Sequence, residues 1–316
     1  MGKRGQALAR ERREKRLQEI AELRNIPYSD IDKWWSAETV AVVTGSNRGI
    51  GYEIARQLSM HGLTVVVTSR SVDGGREAVR ALREEGLVVG YHQLDVMNPE
   101  SVKAFTEWVV QNYGGLDILV NNAGANYNVG SNNSVEFAEK VIETNYFGTK
   151  RMIEAMIPLM KPSLAGARIV NASSRLGRLN GRRNRLGDSK LREQLERDDH
   201  LSEELIDSTV EEFIKQVKDG NWTSNGWPQV FSDYSVSKLA VNAYTRLMAK
   251  RLSDRPEGRK IAINCYCPGW VKTAMTGWAG NISTEEGADT GVWLALFPDQ
   301  AVATGKFFAE RREISF

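Results

Sequence analysis

From Thr39 the chain settles into an alternation of short apolar runs and longer mixed stretches. Residues 39–45 read TVAVVTG, 63–70 LTVVVTSR, 87–96 LVVGYHQLDV, 116–124 LDILVNNAG, 167–174 ARIVNASS and 260–269 KIAINCYCPG. Near-continuous Val and Ile, with little polar alternation, predicts six strands covered on both faces. Between them, residues 51–62, 76–86, 101–115 and 234–254 predict helices, the first two stopped by Gly62 and Gly86. Residues 134–160 predict a largely helical stretch. Strands and helices in this rhythm imply an α/β fold, a doubly wound parallel sheet of Rossmann type, as one domain over 39–316.

One segment breaks the rhythm. Between Ser174 and Tyr234 lie 59 residues, where a strand-to-helix connection takes roughly two to six. Its first half is densely charged. Ser202 is then placed to cap a helix carrying Leu205, Ile206, Val210, Phe213, Ile214 and Val217 on one side and ending at Gly220. Residues 175–230 thus predict an inserted helical flap, whose Trp222 and Trp227 either roof a site or pack the flap itself. Residues 1–38 form a charged extension. Eight basic residues and four Glu interleave in its first 24, which favours a solvated leader helix over a polyanion-binding arm. Trp34 and Trp35 are placed to pack on the domain.

Composition narrows the classes. With 26% charged residues against ample Val, Ile and Leu, the chain is not globally disordered, and a net charge of +2 over 316 residues argues against a nucleic-acid binder. The two cysteines, Cys265 and Cys267, share one strand face and build neither a redox C-x-x-C pair nor a zinc framework, so no metal is expected. Free thiols point to a reducing compartment. No apolar run approaches the ~20 residues of a membrane helix, and the N-terminal stretch lacks the apolar segment of a secretory signal. A cytoplasmic protein away from membranes is the expectation.

The first strand runs into Gly45-Ser46-Asn47-Arg48-Gly49-Ile50-Gly51 and then a helix. Glycines let the backbone turn tightly against a pyrophosphate, whose charge settles on the free N–H groups of the helix start. The spacing is G-x-x-x-G-x-G, and its place after the first buried strand predicts nucleotide binding. At the end of the second strand stand Ser69 and Arg70, with no Asp or Glu before Asp73. A carboxylate there would accept from the ribose 2′-OH of NAD; Arg70, helped by Arg48, instead suits the 2′-phosphate of NADPH. Tyr234 and Lys238, four apart at a helix start, share one face. A phenol is a poor acid or base at neutral pH, and a neighbouring ammonium is expected to make it a better one. Ser173 and Ser174 end the fifth strand, at the edge where open α/β sheets bind ligands.

These motifs, with Asn121-Asn122-Ala123-Gly124, Asn145 in Thr-Asn-Tyr-Phe-Gly-Thr and Pro268-Gly269, occur in the order of the short-chain dehydrogenase/reductase family, which the chain resembles over residues 39–316. Its flap, its NCYCPGWVKTAM stretch and its closing GKFFAERREISF are similar to those of the NADPH-dependent carbonyl reductases, the plant menthone/neomenthol- and salutaridine-reductase-like enzymes included. The resemblance implies that Ser174 holds the substrate oxygen, Tyr234 exchanges its proton, and Lys238 tunes Tyr234 and holds the nicotinamide ribose. It implies that Asn145 anchors a water in a proton relay. Asn122, Asp95 and Val96 would lie on the adenosine side, and Pro268, Gly269, Val271 and Thr273 beside the nicotinamide. Structural readings stand beside these: Ser173 and Asn145 as internal hydrogen-bonders, Asp95 as the cap of the helix near Asn98. The implied activity is hydride transfer to a ketone or aldehyde of small-molecule size. The alternatives are oxidation of a secondary alcohol, or a non-catalytic NADPH-binding module. The flap implies a monomer, because it covers surface that other members use to associate. Residues 125–129, the flap and residues 270–278 are expected to shape the substrate pocket.

Overall fold

The computed structural model describes residues 3–24, 26, 28, 33–128, 134–181, 184–298 and 303–316. A leader helix α1 (Lys3–Arg24) precedes the alternating units β1 (Val40–Val43), α2 (Gly49–Met60), β2 (Thr64–Ser69), α3 (Val72–Glu84), β3 (Val89–Gln93) and α4 (Pro99–Tyr113). The second half runs β4 (Ile118–Asn121), α5 (Ala138–Ile142), α6 (Gly148–Met156), β5 (Ala167–Ala172), α7 (Ser189–Glu196), α8 (Glu203–Lys218) and α9 (Ser232–Leu252). It closes with β6 (Ile261–Tyr266), α10 (Thr284–Ala295), β7 (Phe307–Ala309) and β8 (Arg312–Ile314). The strands form one sheet in the order β3-β2-β1-β4-β5-β6-β7-β8, parallel throughout except for the antiparallel β7–β8 pair. Val40 and Val42 feed the core layer under α4, α6 and α9, while Ala41 and Val43 feed the layer under α2, α3 and α10. Both faces are covered, which is why the strands read as unbroken apolar runs.

The six predicted strands are all present, and the order reverses between β1 and β4, opening the crevice in which doubly wound sheets bind ligands. Helix starts follow side-chain chemistry. Ser71 caps α3, Asn98 followed by Pro99 caps α4, and Ser202 caps α8 through the N–H of Leu205.

The structure departs from expectation in three places. The helical stretch expected over 134–160 starts at Ala138 and is interrupted by a π-turn over Glu143–Phe147. Helix α10 and the strands β7 and β8 were not foreseen from the sequence. The leader helix is not wholly solvated: Leu8 and Leu17 stay exposed, but Ile20 is 4% exposed. Arg24 pairs with Glu286 and Asp289, and Leu23 accepts a hydrogen bond from Arg311 at 2.7 Å. Charges read as a solvated face are therefore partly a dock onto α10 and the β7–β8 turn. Trp34 and Trp35 pack on the domain as expected, donating to the carbonyls of Phe297 and His61.

The flap is fastened down. Leu195, Ile206, Val210, Phe213 and Trp227 join the core layer under α9. Lys150 on α6 reaches both Glu203 and Asp207 at 2.6 Å, and Asp207 also accepts from the hydroxyl of Tyr146. Trp222 and Trp227 both set their rings edge-on to Phe213. They pack against the flap helix. Among the described residues no helix is long and apolar enough to cross a membrane.

Candidate active site

The turn between β1 and α2 is shaped by close approach. Gly45 has φ +60°, and a Cβ there would lie 3.0 Å from the Cα of Ala123; one on Gly51 would lie 2.3 Å from Nδ2 of Asn122. That amide donates to the carbonyls of Thr44 and Gly45, both at 3.1 Å. Asn122 thus braces the glycine turn from the next strand. Helix α2 starts from an extended Arg48 with no side chain capping its first N–H groups, so these remain available to an anion. Arg48 and Arg70 are exposed, and among the described residues neither guanidinium has a partner. Asn47 reaches toward Gly74 at the start of α3, and Ile50 packs into the layer under α2.

Neighbouring strand ends extend the crevice. Oδ1 of Asp95 accepts from the N–H of Met97, while Asn98 is the residue that caps α4, so the capping alternative for Asp95 is not realised. Val96 is buried, its carbonyl taken by Arg151. Beyond β6, Pro268 leads to Gly269 with φ +90°. Val271 is bridged to Ile282, and Thr273 lies with its methyl 3.5 Å from where a Cβ of Gly49 would sit. The loop after β6 therefore faces the glycine turn. An uncapped helix start, a cradle only glycine fits and two unpaired arginines at its rim suit a phosphorylated dinucleotide.

On the opposite side, the first turn of α9 carries Tyr234, whose phenol lies beside the Ser174 side chain. The two serines divide the work. Ser173 is buried and donates to Oδ1 of Asn242 at 2.5 Å, tying β5 to α9, whereas Ser174 faces the phenol. Lys238 is 5% exposed; its Nζ donates to the carbonyl of Ala172 at 2.8 Å and stands 5.6 Å from the Tyr234 ring centre. The π-turn carries Asn145, which accepts from the N–H of Ala125 at 2.7 Å and donates to the Ala125 carbonyl and to Oγ of Ser237, both at 2.9 Å. Such π-turns recur at functional sites, and none was readable from the helical pattern.

Electrostatics here differ from the expectation that Lys238 makes Tyr234 more acidic. Burial pushes the phenol above its ordinary value, nearby Cys267 adds to this, and the neighbouring Ser174 side chain only partly opposes it. Burial also pushes Lys238 down to about 8 against the opposing influence of Cys267 and Cys265. The low-dielectric site penalises both charged forms, and the ammonium bonds to a carbonyl instead of the phenol. The phenolate form of Tyr234 is thus further disfavoured, not favoured, by its surroundings. One further feature went unforeseen: Asp233, immediately before the tyrosine in DYSVSK, is 1% exposed. Of the residues expected to line the pocket, Val129 lies outside the described residues.

A donor phenol facing a strand-edge hydroxyl, across the switch-point crevice from a glycine turn, defines a Rossmann-type oxidoreductase. The chain belongs to the short-chain dehydrogenase family: the family's model, described as short chain dehydrogenase, matches residues 39–185 and 223–281, so that most of the flap falls between the matched stretches. It is 40% identical over 299 residues to (+)-neomenthol dehydrogenase of Arabidopsis thaliana, covering 87% of this chain and 97% of that protein. It is 38% identical over 280 residues to carbonyl reductase (NADPH) 1 of Mus musculus, covering 88% and 98%. Among solved structures it superposes on salutaridine reductase from Papaver somniferum with a TM-score of 0.76 and 37% identity, covering 85% of this chain and 99% of that one.

Proposed function

We propose that this chain is an NADPH-dependent carbonyl reductase acting on a ketone or aldehyde of small-molecule size. The observation that carries this is geometric: the Tyr234 phenol beside Ser174 at the strand edge, with buried Lys238 5.6 Å from its ring centre, across the crevice from the glycine turn. The glycine turn, with Gly45, Asn47, Gly49, Ile50 and Gly51, would hold the pyrophosphate. Arg70 and Arg48 would hold the 2′-phosphate, with Asn122, Asp95 and Val96 on the adenosine side. Pro268, Gly269, Val271 and Thr273 would flank the nicotinamide. NADPH, when bound, supplies the hydride. Ser174 orients the carbonyl oxygen and Tyr234 donates to it as negative charge develops there. Lys238, still largely an ammonium below pH 8, holds the cofactor ribose and offsets charge on the phenolate. Asn145 ties the loop after β4 to α9 and anchors the proton relay. The relatives named for NADPH, carbonyl and salutaridine reduction favour reduction over oxidation of an alcohol.

The same reading makes the protein a cytoplasmic monomer. Helix α8 lays Ile206, Val210 and Phe213 into the core layer under α9, and both cysteines are free. Light scattering on the purified chain and the location of a fluorescent fusion check these two points. For the chemistry, Tyr234→Phe is expected to lower turnover by about 10²–10⁴-fold with NADPH affinity nearly kept; unchanged turnover would reject the assignment.

A further inference from the structure

Asp233 is a carboxylate with 1% exposure, and among the described residues it has no cation partner. Burying an unpaired carboxylate is costly, so its surroundings must supply compensation. They do so with N–H donors and the start of α9, where partial positive charge gathers. Oδ1 of Asp233 accepts from the N–H of Tyr234 at 2.6 Å and from Nδ2 of Asn128 at 2.7 Å. Asn128, 4% exposed, is itself pinned: its Oδ1 accepts from the N–H of Ser134 at 2.5 Å, and its N–H donates to Oδ1 of Asn126 at 3.0 Å.

Followed further, these bonds close on themselves. Three residues before Asn128, Ala125 is held by Asn145 through two hydrogen bonds. Asn145 donates to Oγ of Ser237, and that hydroxyl donates to the carbonyl of Tyr234 at 2.7 Å. The main chain of Tyr234 is gripped at its N–H by Asp233 and at its C=O by Ser237, and both grips lead to the single loop 125–128. Resting on the carbonyl-reductase reading above, we propose that Asp233 and Asn128 are positioning residues: they lock the loop after β4 to the first turn of α9 and so fix the Tyr234 hydroxyl relative to the reacting carbonyl. Burial also holds the Asp233 carboxyl above the usual carboxylate range, consistent with bonds that are made to a desolvated acceptor.

The test measures reduction of 4-nitrobenzaldehyde with NADPH by the full chain. Misplacing a reacting group by about 1 Å costs up to ~10²-fold. Asp233→Ala and Asn128→Ala are therefore each expected to lower kcat by roughly 10- to 100-fold, with KM for NADPH within about twofold. The double variant should be no worse than the more damaging single one, because both break the same link. Asp233→Asn, which keeps an oxygen acceptor for both donors, should recover most of the loss. Losses that multiply in the double variant, a parallel fall in NADPH affinity, or no recovery in Asp233→Asn would overturn the proposal in favour of a general structural role. Should Asp233→Ala fail to fold, Asn128→Ala carries the same test. Tyr234→Phe assayed alongside separates the two readings: if it keeps full turnover, the catalytic assignment itself fails, whereas its collapse beside an unimpaired Asn128→Ala removes only the positioning ring.

Discussion

The glycine turn before α2 and the first turn of α9 face one crevice, yet the first is held by backbone geometry and the second by buried side chains. At the turn, Gly45 and Gly49 take positive φ, and Arg48 and Arg70 stand in solvent. At α9, Tyr234, Lys238 and Asp233 are displaced from their ordinary protonation behaviour by burial. On the proposed reading, the difference follows from what each side would do. A cofactor that binds and leaves is best met by N–H groups and cations that water can replace. A proton that must move on cue is best held where dielectric is low and donors are fixed in advance.

Breaking the buried side should do the most damage. Lys238→Met removes the ammonium and is expected to cost roughly 10²–10³-fold in turnover. The same change has an opposite effect on stability. Lys238 is pushed down to about 8 from an ordinary 10.5, so between those values the unfolded chain binds a proton that the folded chain does not. Stability from this group therefore rises with pH across that window, and below about 8 the full cost of burying the charge is present. Denaturant midpoints measured from pH 7.5 to 10.5 should climb less steeply in Lys238→Met than in the parent. Parallel curves would show that the lysine is not desolvated as the geometry implies.

The backbone side should break differently. In Gly51→Ala the new methyl would meet the Asn122 amide at 2.3 Å and the Gly45 carbonyl at 2.6 Å, and at least the carbonyl cannot swing aside. Overpacking of this kind costs about 1–3 kcal/mol, and the displaced turn should raise the KM for NADPH about tenfold or more while kcat at saturation is largely kept. A drop in kcat with unchanged KM would mean that the turn and the phenol are coupled more tightly than the comparison allows.

How each side was legible in the sequence follows from the same contrast. Backbone devices leave compositional traces: the glycine spacing, the Val-rich runs and the Tyr-x-x-x-Lys step at α9 all read directly. Burial leaves none. The order of Ser173 and Ser174 was clear, but which one faced the phenol depended on Asn242 capturing Ser173 from α9. The direction of the Tyr234 shift depended on packing that no local pattern encodes. The π-turn adds a residue to a helix without changing its apolar spacing enough to be noticed. Strands β7 and β8 have three residues each, too few for a periodicity. Helix α10 carried a readable signal in its Ser283/Glu286 capping box, although Gly287 and Gly291 weakened the helical pattern.

The gentlest test falls at the rim of the backbone side. Arg70, immediately after β2, is exposed, with its carbonyl taken by Gln93 and its guanidinium without a partner among the described residues. Charge-assisted hydrogen bonds contribute about 1.5–3 kcal/mol, and exposure places this one near the lower end. Arg70→Ala should therefore raise the KM for NADPH about tenfold, leave that for NADH within about twofold and leave kcat unchanged, because only the former cofactor carries a 2′-phosphate. The effect should shrink as salt is raised, since a solvent-facing guanidinium is screened. Equal losses with both cofactors would place Arg70 outside phosphate recognition and shift that role to Arg48. A loss in kcat would mean that the exposed rim and the buried phenol do not act separately after all.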